Sequence, residues 1–188
     1  MIETTRLVVI RHGETAWNAL GRLQGHHDIA LNALGRAQAA ALAGALAGEG
    51  LAAVVSSDLQ RAWQTAAALA GPLGLPLVAE PGLRERCFGS LEGLTHAEIE
   101  ARWPAQARGL REREPTFTPA GGESLLQLQA RCLVTVDRVA AAFAGRCVAL
   151  VCHGGVLDML YRAATHVALE RPRSGPLGNA GINRLLHT

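Results

Sequence analysis

The chain has 188 residues, enough for one domain with a substantial core and short for two. Hydrophobic residues make up 49% and charged residues 18%, which excludes a disordered chain, and a formal net charge of +2 is too small to imply nucleic-acid binding. All 18 basic side chains are arginine and lysine is absent, so Schiff-base chemistry and a P-loop lysine are excluded.

Leu7 to Ile10 is a continuous apolar run ending at a polar loop and reads as a buried parallel strand. Gly35 to Gly48 is rich in alanine and leucine and reads as a helix stopped by Gly48 and Gly50. Ala53 to Ser56 is a second buried strand. Ser57 or Asp58 is positioned to cap a helix running to about Ala70 and closed by Gly71-Pro72. Leu77-Val78 is a short third strand. From Pro81 to Gly93 the chain is turn-rich. A helix starts near Thr95 and ends before Pro104. Residues 102–122 mix arginine and glutamate with prolines and read as an irregular, mobile surface segment. A long helix runs from about Glu123 to Phe143. Cys147 to Cys152 is an apolar strand, His153-Gly154-Gly155 begins another helix, and Ile182 to Leu186 is a closing strand.

Strands alternating with helices imply a three-layer α/β/α domain with a largely parallel sheet. Sites in such sheets form beyond the carboxyl ends of the strands. Arg11-His12, Ser56-Ser57-Asp58 and His153 each come just after a strand end, which places them on one rim. An arginine beside His12 disfavours the imidazolium, leaving a neutral, nucleophilic ring. His153 and Gly154 open a helix, whose free N–H groups and dipole favour an anion. Arg61, one turn into the second helix, can reach the same rim. Glu85 and Glu92 both lie in the turn-rich stretch, and either could serve as a general acid.

The segment RHGETAWN at 11–18 is similar to the signature of the histidine phosphatase superfamily, the phosphoglycerate-mutase-like proteins. GRLQGHHDIALNALGRAQA (21–39), SSDLQRAWQTA (56–66) and LRERCFGSLEG (83–93) resemble further blocks of that family. PAGGES (119–124), VCHGG (151–155) and GNAGI (178–182) complete the family order, so the resemblance covers nearly the whole of residues 1–188 as one catalytic domain. It implies a phosphoglycerate-mutase-like fold and a metal-independent phosphatase, without cofactor, acting on a small phosphorylated metabolite. His12 would become the phosphohistidine. Arg11, Arg61 and a protonated His153 would surround the phosphoryl group. Glu85, rather than Glu92, would be the proton donor and then the base for water. Asn18 would bond the phosphate, Gln24 and Gly25 would touch the substrate, and Gly154 would lie at the phosphate. Residues 94–122 match the variable segment that caps the pocket. The metabolic mutases of the family carry a longer insertion at 94–118, so the resemblance favours a short, phosphatase-type member over a mutase. An α-ribazole-phosphate phosphatase and a silent phospho-ligand-binding member are the remaining alternatives.

Other constellations carry less. A C-x5-R pattern, Cys132 to Arg138, lies within a helix, whose interior cannot wrap N–H groups around phosphate. His26-His27-Asp28 are adjacent side chains, which rarely converge on one metal ion. Cys87, Cys132, Cys147 and Cys152 show no CxxC pair and fit a reducing, cytoplasmic setting better than a disulfide framework. No secretory leader is visible, and no apolar run approaches the ~18 residues of a membrane span. The final strand leaves a sheet edge that a homodimer could cover.

Overall fold

The five apolar runs pair into one sheet. The computed structural model describes residues 4–173, 175 and 177–188. Its strands are β1 (Thr5–Arg11), β2 (Leu51–Ser56), β3 (Leu77–Ala79), β4 (Cys147–Cys152) and β5 (Ile182–His187), in the spatial order β3-β2-β4-β1-β5. Every pairing is parallel except that of β5, which lies antiparallel along β1. Every residue of central β4 is buried, as helices on both faces require, whereas edge strand β5 is only partly covered.

The helices are α1 (Ala16–Ala19), α2 (Ala33–Leu46), α3 (Gln60–Leu73), α4 (His96–Arg102), α5 (Pro104–Arg111), α6 (Leu125–Ala142) and α7 (Gly154–Thr165). Successive residues of a strand face opposite sides of the sheet, so β1 divides its side chains between two cores. Val8 and Ile10 join Leu42 and Leu46 of α2 and Leu69 of α3 in one core. Leu7 and Val9 join Leu128 and Val136 of α6 and Val156 and Met159 of α7 in the other. The result is the three-layer α/β/α arrangement expected. None of the helices among the described residues is long and apolar enough to cross a membrane.

Four α-helix starts are sealed by side chains. Thr15, Asn32, Thr95 and Ser124 accept N–H bonds from Asn18, Gly35, Glu98 and Gln127, and all but Asn32 form capping boxes. Two expectations need correction. Helix α3 has Leu59 at its N-cap with no side-chain cap, because Ser57 bonds His153 and Asp58 pairs with Arg84. It also runs through Gly71-Pro72 to end at left-handed Gly74, φ +62°. Proline removes one helical N–H bond there, within the last turn. The second correction is that residues 102–122 are not irregular throughout. Pro104 opens α5, a position that suits its missing N–H. Ala107 and Leu110 of α5 then pack with Leu91 and Ile99 in a small third core.

Candidate active site

Strands β1 and β4 end together, with Arg11 beside Cys152 and the His12 N–H bonded to the Cys152 carbonyl at 3.0 Å. His12 and His153 therefore leave the sheet side by side, their ring centroids 5.1 Å apart. The Ser57 N–H donates to the Val151 carbonyl at 3.0 Å, which draws the end of β2 to the same place. The loop after His12 has no room for a methyl group. A Cβ on Gly13 would sit 2.4 Å from the Gly35 carbonyl oxygen at the start of α2.

His12 is buried, with Nδ1 2.7 Å from the Gly13 carbonyl oxygen. A carbonyl can only accept, so Nδ1 carries the proton and Nε2 keeps its lone pair. Burial, then Arg61 and Arg11, hold the imidazolium well below its usual range. The ring is thus a neutral nucleophile in a cationic setting.

Arg61 is fully buried, its two terminal nitrogens donating to the His27 and Gly25 carbonyls at 2.8 and 2.7 Å. Arg11 donates to the Leu177 carbonyl. His153 meets the Ser57 hydroxyl through Nε2 at 2.9 Å. Among the described residues, three buried side-chain nitrogens are left without a partner: Arg11 Nε, Arg61 Nε and His153 Nδ1. An unmade bond at a buried polar group costs about 1–3 kcal/mol. Three such atoms on the residues flanking His12 are what a site built for an oxyanion presents. In the protein alone, burial first, then Arg61, His12, Arg11 and His26, lower the His153 pKa well below the usual value, which favours a neutral ring before any phosphoryl group is bound.

The two candidate glutamates separate cleanly. Glu85 lines a cavity of about 660 Å³. Its Oε1 accepts from the Gly155 N–H at 3.0 Å and the Arg86 N–H at 2.8 Å, while among the described residues Oε2 has only the longer Gly155 contact, 3.2 Å. Glu92 is outside the lining. It accepts backbone N–H bonds from His26, His27 and Phe88 and so braces the loop.

Arg11, His12, Asn18, Gln24, Arg61, Glu85 and Gly154 line this cavity. Gly25 does not; its carbonyl holds Arg61 and its φ is +50°. His153 is fully buried against His12 rather than on the wall. The Asn18 side-chain Oδ1 accepts from the Thr15 N–H and the Asn179 side-chain amide, and Gln24 accepts from the Thr15 hydroxyl at 3.0 Å. The rival constellations disperse. His26 bonds the Glu85 carbonyl while Asp28 holds Gln60. Cys132 is buried within α6, Arg138 pairs with Glu80, and all four cysteines are free thiols.

Sequence reasoning missed an outer ring of charge. Arg86, Arg113, Arg173 and Asp158 also line the cavity, which holds seven arginines against two carboxylates among the described residues. Arg113 and Arg173 share Asp158, at 2.5 and 3.5 Å. Among the described residues the Arg86 guanidinium donates only to the carbonyls of Glu123 and Phe117 and lies over the Phe88 ring, and burial lowers its pKa to about 10. No local signal announces these partners, which lie 31 to 45 residues away for Arg86 and Arg113.

The family model for the histidine phosphatase superfamily (branch 1) matches residues 7–188. The chain is similar to a metal-independent phosphoserine phosphatase of Arabidopsis thaliana, 40% identical over 184 residues that cover 96% of this chain and 76% of the relative. It is also similar to the glucosyl-3-phosphoglycerate phosphatase of Mycobacterium tuberculosis, at 39% identity over 96% of this chain and 84% of the relative. Among solved structures, Bacillus stearothermophilus YhfR superposes with a TM-score of 0.90 at 32% identity, covering 96% of this chain and 90% of that one.

Proposed function

The chain belongs to the histidine phosphatase superfamily, and from that premise we propose that it hydrolyses phosphomonoesters of small phosphorylated acids through a phosphohistidine on His12, without a metal ion. The observation that carries this reading is the trio of unpartnered buried nitrogens on the residues around the neutral His12 ring.

The chemistry runs in two displacements. Arg11, Arg61 and the Nδ1 side of His153 hold the equatorial oxygens of the phosphoryl group. His12 Nε2 attacks phosphorus, the ester P–O bond breaks, and protonated Glu85 gives its proton to the leaving oxygen. Water then attacks the phosphohistidine, passes its proton to the Glu85 carboxylate, and the P–N bond breaks. Little covalent work is asked of the protein, so preorganised positive charge supplies most of the stabilisation. Two arginines provide the charge that metal ions supply elsewhere.

Hydrolysis of p-nitrophenyl phosphate in excess EDTA tests the reading. Turnover equal to that without EDTA is expected. No turnover across pH 4–8 would sink the phosphatase, and loss confined to EDTA would sink metal independence.

The substrate class rests on the outer ring. One phosphoryl group faces Arg11 and Arg61, and Arg86, Arg113 and Arg173 exceed what Asp158 neutralises. A second anionic group on the substrate would meet this surplus. Both named relatives act on phosphorylated carboxylic acids by their names. Arg113 and Leu110 bring the 94–122 segment to the cavity, where it would act as the substrate-selecting cap. Arg113→Gln and Arg173→Gln should each lower kcat/KM for phosphoserine or 3-phosphoglycerate by about 10–100-fold, the worth of a hydrogen bond to a charged group. The value for p-nitrophenyl phosphate should change less than about threefold by the same reasoning; equal losses on all three would remove the second-anion subsite. A reducing compartment suits the four free thiols, and the outer edge of β5 is where a second copy would pair.

A further inference from the structure

We propose that Ser57 is a positioning residue that locks His153 in its Nδ1–H tautomer, so that a neutral ring still offers the phosphoryl group a hydrogen-bond donor. The proposal rests on the phosphatase reading and addresses how His153 can serve it while uncharged.

Counting protons decides the tautomer. Ser57 and His153 are both fully buried, and Ser57 Oγ lies 2.9 Å from His153 Nε2. A serine hydroxyl has one proton and two lone pairs. One lone pair accepts the Leu59 N–H at 3.3 Å. Among the described residues the hydroxyl proton has no other acceptor than His153 Nε2. Donation from Ser57 to Nε2 satisfies both groups; the reverse arrangement strands the serine proton in the interior. With Nε2 accepting, the proton of a neutral ring sits on Nδ1. That atom is the buried nitrogen left without a partner. In the opposite tautomer Nδ1 would turn a lone pair toward phosphoryl oxygens, which already carry the negative charge.

Ser57 is itself held hard. Its N–H is bonded to Val151 on β4 at 3.0 Å, and its carbonyl accepts the Ser56 hydroxyl at 2.8 Å. The strand that delivers His153 therefore also fixes the hydroxyl that orients it. Burial first, and then the positive charges of Arg61 and Arg11, keep the ring neutral and make the tautomer matter.

Nitrogen NMR of protein with isotope-labelled histidine reads the state directly. At neutral pH the wild-type His153 should show a protonated Nδ1 and an unprotonated Nε2. Ser57→Ala should leave the ring averaged between tautomers and lower kcat for p-nitrophenyl phosphate by about 10–100-fold with KM changed less than about threefold, since the lost donor acts on the transferring group. Ser57→Thr, which keeps the hydroxyl, should restore both the tautomer and most of kcat. A wild-type ring protonated on Nε2, or on both nitrogens, overturns the proposal even if neither variant folds. So does a Ser57→Ala protein in which tautomer or kcat changes without the other. A protein with the Nδ1–H ring but no turnover would sink the phosphatase reading and leave the tautomer assignment standing.

Discussion

Replacing His12 with alanine is expected to lower turnover by about 10⁴–10⁶-fold, the loss seen when a residue that acts as a unit with its neighbours is removed. It should also abolish phosphoenzyme trapped by alkaline quench. The cause is local: the Gly13 carbonyl holds the proton on Nδ1, leaving Nε2 as the attacking lone pair. Arg11, Arg61 and His153 remain, so inorganic phosphate should still bind within about tenfold of wild type. Retained turnover, or a trapped phosphoenzyme carried by His153, would disprove the nucleophile. The lowered pKa adds a signature in pH. The ring is neutral in the folded state well below its ordinary value near 6.5, so kcat/KM should not collapse as pH falls through that value. Stability shows the opposite trend. Below about 6.5 the unfolded chain binds a proton that folded His12 refuses, so unfolding free energy falls as pH falls. His12→Ala should therefore lose less stability between about pH 7 and 5 in urea titrations than the wild type does.

Much of the frame was legible because it depends on neighbours in sequence. The apolar runs at Leu7, Val54 and Val148 end at polar or glycine-rich turns, and a parallel sheet sends such ends to one rim. That alone places His12, Arg61 and His153 together. What was not legible depends on distant pairing. Ser57 and Asp58 read as caps for α3 because that is their local preference, but His153, 96 residues on, and Arg84 claim them instead. Residues 102–122 read as irregular because arginine and glutamate mix there with Pro115, Pro119 and Gly121-Gly122. Their helix is secured by Ala107 and Leu110 against Leu91 and Ile99, a contact that no short window contains. The lowered pKa of His153 has the same origin: burial and two arginines from other elements set it. The outer ring on Asp158 is a tertiary product throughout.

The choice between Glu85 and Glu92 was open on residue chemistry, and it leads to the second large effect. Glu92 is consumed by three backbone N–H groups, while Glu85 is tied through Oε1 and leaves Oε2 the freer oxygen at the cavity. Glutamine can keep Oε1 on the Gly155 and Arg86 N–H groups and so preserve the loop, while losing the transferable proton. Glu85→Gln should then cost about 10²–10⁴ in kcat/KM for an alkyl phosphate, the usual contribution of a positioned acid. For p-nitrophenyl phosphate the same substitution should cost less than about tenfold, because that alcohol departs without protonation. The comparison belongs at kcat/KM, which covers binding and phosphorylation but not the later hydrolysis of the phosphoenzyme. Hydrolysis of the phosphoenzyme uses the same carboxylate as base, so with the activated ester the variant should release a burst of p-nitrophenol and then stall as phosphohistidine. A loss equal for both esters, with no burst, would argue that Glu85 orders the Gly155 turn and takes no part in proton transfer. Gly155 makes the requirement stringent. A Cβ there would lie 2.1 Å from Oε1, so the carboxylate can approach the start of α7 only because that position has no side chain.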